Sequence, residues 1–414
     1  MTVFVNGKIF DGEQATLIEG ANVFLNGDLI AEVSDRPPNP DDGEIIDCAG
    51  STIMPGLIDA HVHAHALSVR LHDVDRAPPS LRTAWAGRML GNMLSRGFTT
   101  VRDTGGADYG LFLALERGYI RGPRLYYCGR AISQTGGHGD FRDPHHHHAH
   151  DDQILACGCG MVNSLGIVVD GVDAVTRVVR ESLFRGSNFI KFMGSGGVSS
   201  TGDSLDSIQF SDEEVRAIVG EVERHGAYCT AHIHPDKALR RAIQLGVHCI
   251  EHGTLIEPDT ARMAADAGTA IVPTMAIIAS LAARGEELGY PAESLAKLAT
   301  IKDQAVGRMQ HMKDAGVRVG FGTDLLGALE NDQLTEFHIR SNIFSNIEIL
   351  RQATSGNAEI IGAKGELGII RKGAKADLLV VEGDPLADLA VIATPGRPPE
   401  MIYSRGRKIS NLRH

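Results

Sequence analysis

Six residues of metal-binding type are spread over most of the chain: His61, His63, Lys191, His232, His252 and Asp324. Short apolar runs lead into them, at residues 57–63, 188–191, 228–232, 249–252 and 319–324. Polar groups at the carboxyl ends of successive buried strands mark the catalytic face of a barrel. The chemistry this set offers is metal-assisted, with a carboxylate at hand to move protons.

His61 and His63 stand at i and i+2, so on a strand they share a face and reach one metal. A pair of solvent-facing histidines is the competing reading, and the apolar run before them speaks against it. Lys191 ends the run Asn188-Phe189-Ile190. A buried lysine must lose its charge, find a partner or be modified. Alone it reads as a paired core residue; beside the other candidates it fits a carbamate formed with CO₂, whose two oxygens can bridge two metals. His232 and His252 close neighbouring strands, a stronger signal than one histidine. His234 shares a face with His232, and either could be the ligand. His232 is favoured because Pro235 is expected to place His234 in the loop. Asp324, in Gly322-Thr323-Asp324, can ligate, accept a proton and pass it to a leaving group. Its bland alternative is an N-cap.

The elements that must position these residues follow two rhythms. Residues 1–55 read as short strands and turns, with Asn6-Gly7 and Asn26-Gly27 as hairpin signals. From Pro55 onward strand-like runs alternate with amphipathic helices. Strands are predicted at 98–102, 124–128, 189–193, 227–232, 249–252, 270–274 and 317–322. Helices are predicted at 81–96, 173–185, 212–224, 236–245, 292–315 and 334–353. Gly97, Gly186, Gly226, Gly246 and Gly316 suit helix C-caps, and Ser211-Asp212-Glu213-Glu214 suits a capping box. This is the arithmetic of an α/β (β/α)8 TIM barrel over residues 56–355. Strand patterns return after 356, so residues 1–55 and 356–414 are expected to join as a small β-sandwich domain. Residues 133–171 form the longest irregular stretch. After a barrel strand, it should lie on the catalytic face.

Composition narrows the function classes. With 43% hydrophobic and 22% charged residues, the 414-residue chain suits a soluble globular protein. A net charge of -12 and the lack of a basic stretch argue against nucleic-acid binding. No signal-peptide pattern and no membrane-length apolar run is evident, so a cytoplasmic location is expected. Most of the six cysteines fall in apolar runs, as reduced thiols do. Cys157-Gly158-Cys159 lacks zinc-knuckle spacing.

Residues 55–63, Lys191, His232, Glu251-His252-Gly253 and Gly322-Thr323-Asp324 resemble the amidohydrolase superfamily. Within it they look like the Xaa-Pro dipeptidase and zinc carboxypeptidase branch, near imidazolonepropionase-like proteins. Residues 97–103, Ser133-Gln134-Thr135-Gly136-Gly137-His138 and the tail Gly373-Ala374-Lys375-Ala376-Asp377-Leu378 extend the resemblance to nearly the whole chain. It implies two divalent metal ions, zinc first, with manganese or cobalt as substitutes. His61, His63 and Asp324 would hold one ion and His232 and His252 the other. Carboxylated Lys191 and a hydroxide would bridge them. The hydroxide would attack an amide carbonyl, with Asp324 carrying its proton to the leaving amine. His138 and Tyr228 match positions that contact substrate or oxyanion; Tyr228 precedes His232 by four residues on the same strand face. Where relatives carry an aromatic or small residue two positions after the fifth-strand ligand, this chain has His234.

The expected partner is a small molecule, a dipeptide or N-acyl amino acid, and the expected assembly a homo-oligomer. A detoxifying amidase or carbamate hydrolase of aryl substrates is the near alternative. A mononuclear deaminase or cyclic-amidine hydrolase is a second, which Lys191 argues against because one metal needs no bridge. A non-catalytic scaffold would have lost ligands, and this chain keeps the set. His145 to His148, with His150, reads as a solvated loop that could scavenge zinc. Ser195-Gly196-Gly197 lacks the Lys-Ser/Thr of a phosphate loop.

Overall fold

The computed structural model describes residues 1–141 and 165–409. The His145–His148 run, His150, Cys157 and Cys159 lie outside the described residues.

The strands at the two ends of the chain weave two small sheets. Thr2–Val5 pairs antiparallel with Asn22–Asn26 and parallel with Glu44–Asp47, and Leu29–Ser34 completes a four-stranded sheet. Lys8–Ile9 instead joins Thr52–Pro55 in a second sheet, beside Leu378–Val381, Met401–Ser404 and Arg407–Lys408. Asn26-Gly27 is therefore a hairpin turn, with Asn26 opposite Leu29. Asn6-Gly7 is not: there the chain crosses from one sheet to the other. Asn6 takes a left-handed φ of 57°, and Gly7 packs against Ile53 and Cys48, where little room exists for a side chain. Phe4, Ile9, Val23, Ile53, Leu378 and Tyr403 share one apolar cluster, so strands from both ends of the chain bury each other.

The middle of the chain is parallel α/β. Leu57–Val62, Phe98–Asp103 and Arg124–Tyr127 form one three-stranded parallel sheet. A six-stranded parallel sheet runs in the order 166–168, 131–133, 190–193, 229–235, 249–255 and 270–272. Nearly every residue of these strands is buried, as the continuous apolar runs require of a sheet covered on both faces.

The predicted strand at 317–322 is not a regular strand. It makes one isolated parallel bridge, Val319 to Ile271. Gly320 N donates to Ile271 O (2.8 Å), Ala60 N to Phe321 O (2.8 Å) and Asp324 N to His61 O (2.8 Å), so the segment still links the two sheets. The Asn357 side chain diverts the Phe321 N–H from the ladder: Oδ1 accepts from Phe321 N (3.0 Å), while Nδ2 donates to Phe321 O (2.7 Å), which Ala60 N also reaches.

Helices Pro79–Ser95, Val172–Phe184, Asp212–Arg224, Asp236–Gln244 and Ala292–Asp314 fall where expected. Ser211 and Glu214 form the reciprocal capping box. The expected helix over 334–353 is instead two, Thr335–Arg340 and Asn346–Arg351. A second capping box, Ser345 with Glu348, starts the latter and ends continuity.

Candidate active site

At the carboxyl ends of the parallel strands lies a cavity of about 800 Å³, counting its open mouth. His61, His63, His138, Lys191, His232, His234, His252 and Asp324 all line it. Five of the expected ligand-bearing segments thus converge, although they span residues 61 to 324.

Two constellations stand side by side. His61, His63 and Asp324 offer ligand atoms within 4.8 Å of one another, and so do His232, His234 and His252. Asp324 Oδ1 is 3.4 Å from His61 Nε2 and 3.3 Å from His63 Nε2. The rings of His61 and His252, 5.0 Å apart, join the two groups. His252 and Asp324 both adopt left-handed backbone, with φ of 71° and 57°. Non-glycine residues are held there only when their surroundings over-determine them, a feature that clusters at functional sites.

Nδ1 of most of these rings is already engaged. His61 Nδ1 bonds Glu251 Oε2 (2.7 Å), His63 Nδ1 bonds Gly105 O (2.9 Å), His234 Nδ1 bonds Thr254 Oγ1 (2.8 Å), and His252 Nδ1 bonds Thr274 Oγ1 (2.7 Å). Glu251 is fully buried and bonded in turn to Arg102 Nη2 (2.6 Å). Anchoring one ring nitrogen aims the other, which is how proteins orient histidine ligands. His232 Nε2 is buried with no hydrogen-bond partner. An orphaned buried nitrogen among convergent imidazoles fits a metal ion.

The charge states agree with such a role. Burial pushes His232 and His252 well below the usual imidazole range, and His234 down to about 3. They are neutral, the form a metal takes. Burial also lowers the Lys191 ammonium, favouring the free amine that reacts with CO₂. For Asp324, burial alone would raise the carboxyl; His61 and His63 outweigh it and hold it well below the ordinary carboxylate range.

Three expectations change. Pro235 does not put His234 in the loop: the strand runs Cys229–Pro235, with Pro235 opposite Leu255. Proline is tolerated at this strand end, where the register shifts, so His234 keeps the face of His232. Tyr228 is not brought to the cavity. Four residues along a strand is roughly 13 Å, which leaves Tyr228 before the strand's first residue, its ring stacked on Phe189 at 5.2 Å. Sharing a face with His232 did not mean sharing a level. His138 does reach the site, stacked on His232 at 4.0 Å. Its Nδ1 bonds Ser200 Oγ (2.8 Å), and Ser200 donates its only proton to Asp203. The imidazole proton therefore sits on Nδ1, and burial holds the ring neutral by lowering it to about 4. The neutral ring presents Nε2 to the cavity as an acceptor, not as an oxyanion donor. Gly197 packs directly beneath this ring, leaving no space for a side chain, which accounts for one glycine of Ser195-Gly196-Gly197.

Glu251 and Arg102 fall in motifs read from sequence but were given no role there, and Ser200 and Asp203 were not singled out. A charged residue inside a buried strand run, as at Arg102 and Glu251, was the available signal.

Comparison with known proteins agrees with this construction. A profile described as the Amidohydrolase family matches residues 52–407. A solved amidohydrolase shares 42% identity over 99% of both chains, with a TM-score of 0.95. A prolidase solved in complex with N-methylphosphonate-L-proline shares 41% over 99% of both chains, with a TM-score of 0.94. The ochratoxinase of Aspergillus niger is 31% identical over 363 residues, covering 83% of this chain and 72% of that protein. The profile covers the stretch that holds both constellations and Lys191: the chain belongs to the amidohydrolase family, and is a hydrolase acting on carbon–nitrogen bonds.

Proposed function

We propose that the chain is a two-metal amide hydrolase acting on dipeptides or N-acyl amino acids. The observation that carries this reading is the pair of adjacent constellations with buried Lys191 lining the same cavity. His61, His63 and Asp324 would hold one ion, His232 and His252 the other, and carboxylated Lys191 would lie between them. Zinc suits the imidazole-rich set. Two such ions, when bound, supply a lowered water pKa and a polarised carbonyl. Asp324 would take a proton from the attacking water and return it to the departing nitrogen. His138 Nε2 would accept a hydrogen bond from the substrate. We further propose that the linked sheets close as a (β/α)8 barrel over 56–355, and that 1–55 with 356–414 make a small β-sandwich.

The test is metal content of the purified, untagged protein grown with bicarbonate, with Lys191→Ala alongside. Near two ions per chain, falling clearly in the variant, is the expected result. One ion or none, unchanged by the substitution, would sink the two-metal reading. A second reading, an amidase of aryl amides such as N-acyl aromatic amino acids, is favoured by the apolar side chains around the cavity. A library spanning both substrate types separates them.

A further inference from the structure

Two helices wall the cavity beside the imidazoles. Met275–Arg284 turns Ile277, Ile278 and Leu281 toward it, and Ala292–Asp314 turns Leu298 and Ile301 toward it. Positions i, i+1 and i+4 on one helix span an arc of about 100°, and i, i+3 on the other are neighbours, so each set lies within one apolar face. The helices pack on each other, so their side chains make one continuous apolar surface. Tyr290, in the connection between them, adds its ring, and its hydroxyl is already bonded to Ser199 Oγ at 2.7 Å. None of these named side chains presents an uncommitted polar group to the cavity.

The charges point the same way. Among the described residues that line the cavity, Lys191 is the one lysine and no arginine occurs. Lys297 rides on a wall helix, but its ammonium is committed to Ser200 O (2.8 Å), Asp203 O and the Asp203 carboxylate (3.3 Å). A carboxylate set against the wall would lose its water without gaining a counter-ion. An apolar group there gains by burial, about 25 cal/mol per Å².

We infer that this wall is a specificity surface for a large, neutral, apolar group, branched aliphatic or aryl, on one flank of the scissile amide. The inference rests on the amide-hydrolase reading above and names the substrate class within it. A carboxylate carried by such a substrate lies away from the wall.

The experiment uses the metal-loaded full chain and a matched series of dipeptides and N-acyl amino acids. One flank at a time carries phenylalanine, leucine, glycine or aspartate. On one flank, kcat/KM for phenylalanine or leucine should exceed that for glycine and aspartate by at least about tenfold. Ile278→Lys should shrink that preference by at least about tenfold and favour the aspartate member, while Ile278→Val keeps it. Equal rates across the four side chains on both flanks would overturn the inference, as would an unchanged preference in folded Ile278→Lys. Where melting curves show that Ile278→Lys does not fold, Leu281→Ala and Ile301→Ala carry the same comparison. Turnover of no member by protein with its full metal content would sink the amide-hydrolase reading instead. Calorimetric binding of the same series then tests the wall without turnover, and equal affinity for leucine and aspartate members would reject it.

Discussion

At the scale of single residues, the site depends on what lies behind the imidazoles as much as on the imidazoles. His61 points its Nε2 at Asp324 because Glu251 holds Nδ1 from the other side, and Glu251 is itself ion-paired to Arg102 with neither side chain exposed. Burial opposes the Glu251 charge; Arg102 and His61 outweigh it and keep the carboxyl well below its usual range. Glu251→Gln preserves shape but leaves the Arg102 guanidinium without its counter-charge. Breaking a buried pair this way costs about 3–5 kcal/mol, so the urea midpoint should drop clearly. The freed His61 ring should weaken metal retention by about 10–100-fold, read by competition with a chelator. Wild-type stability and metal affinity in Glu251→Gln would refute the orienting role. The ligand candidates were legible because each ends an apolar run. Their anchors were not, since Glu251 lies 190 positions from His61 and a strand pattern does not say which distant strand stands behind it. The same limit misplaced Tyr228, whose face was readable and whose depth was not.

At the scale of elements, the strand bearing Lys191 is flanked by two helices that are tied to each other by charge. Glu221 on Asp212–Arg224 meets Arg180 of Val172–Phe184 at 2.7 Å, and Arg224 closes on it from its own helix. Hydrogen bonds from Arg180 and then Arg224 lower the Glu221 carboxyl from 4.5 to about 2. A carboxyl whose pKa is depressed on folding stabilises the fold above its unfolded value, and that contribution fades as pH falls through the folded one. Glu221→Gln should therefore melt below wild type at pH 7, and the gap should close between about pH 4.5 and pH 2. A gap that is constant down to pH 2 would show that the loss is not electrostatic. Both helices were readable from their polar–apolar period and their caps. Met275–Arg284 was not singled out, and its physics explains why. Its residues Met-Ala-Ile-Ile-Ala-Ser-Leu-Ala-Ala face the core on one side and the cavity wall on another, leaving little polar contrast for a 3.6-residue period to show. Asn6-Gly7 carried a true turn signal, but turn chemistry alone does not say which sheet receives the next strand.

At the scale of the whole molecule, the chain's two ends grip the parallel strands from below. Asp377, in the tail motif read from sequence, accepts from Arg124 Nε (2.5 Å) and Arg405 N (2.6 Å), and its carbonyl accepts from Gly56 N (2.9 Å). It joins the small sheets to the first and third parallel strands at once. Asn357 does the equivalent nearer the site. Its Nδ2 donates to Ile58 O (2.7 Å) and Phe321 O (2.7 Å), and its Oδ1 accepts from Phe321 N (3.0 Å). Three residues beyond each clamped position stand His61 and Asp324, themselves joined by Asp324 N to His61 O. The clasp replaces the ladder that segment 317–322 lacks, so the site's geometry depends on a side chain that no strand pattern could announce. Asn357→Asp keeps the size but turns two donors into a carboxylate facing two carbonyl oxygens. Ile58 O loses its side-chain donor and Phe321 O keeps only Ala60 N, and a buried polar group deprived of its partner costs about 1–3 kcal/mol. Because the clasp sits under His61 and Asp324 but not under His232 and His252, the loss should be local before it is global. On titration with a chelator, Asn357→Asp should release one ion per chain earlier than wild type while the second is retained. Simultaneous release of both, or release as in wild type, would mean that the clasp supports the fold at large and not the half of the site built on His61, His63 and Asp324.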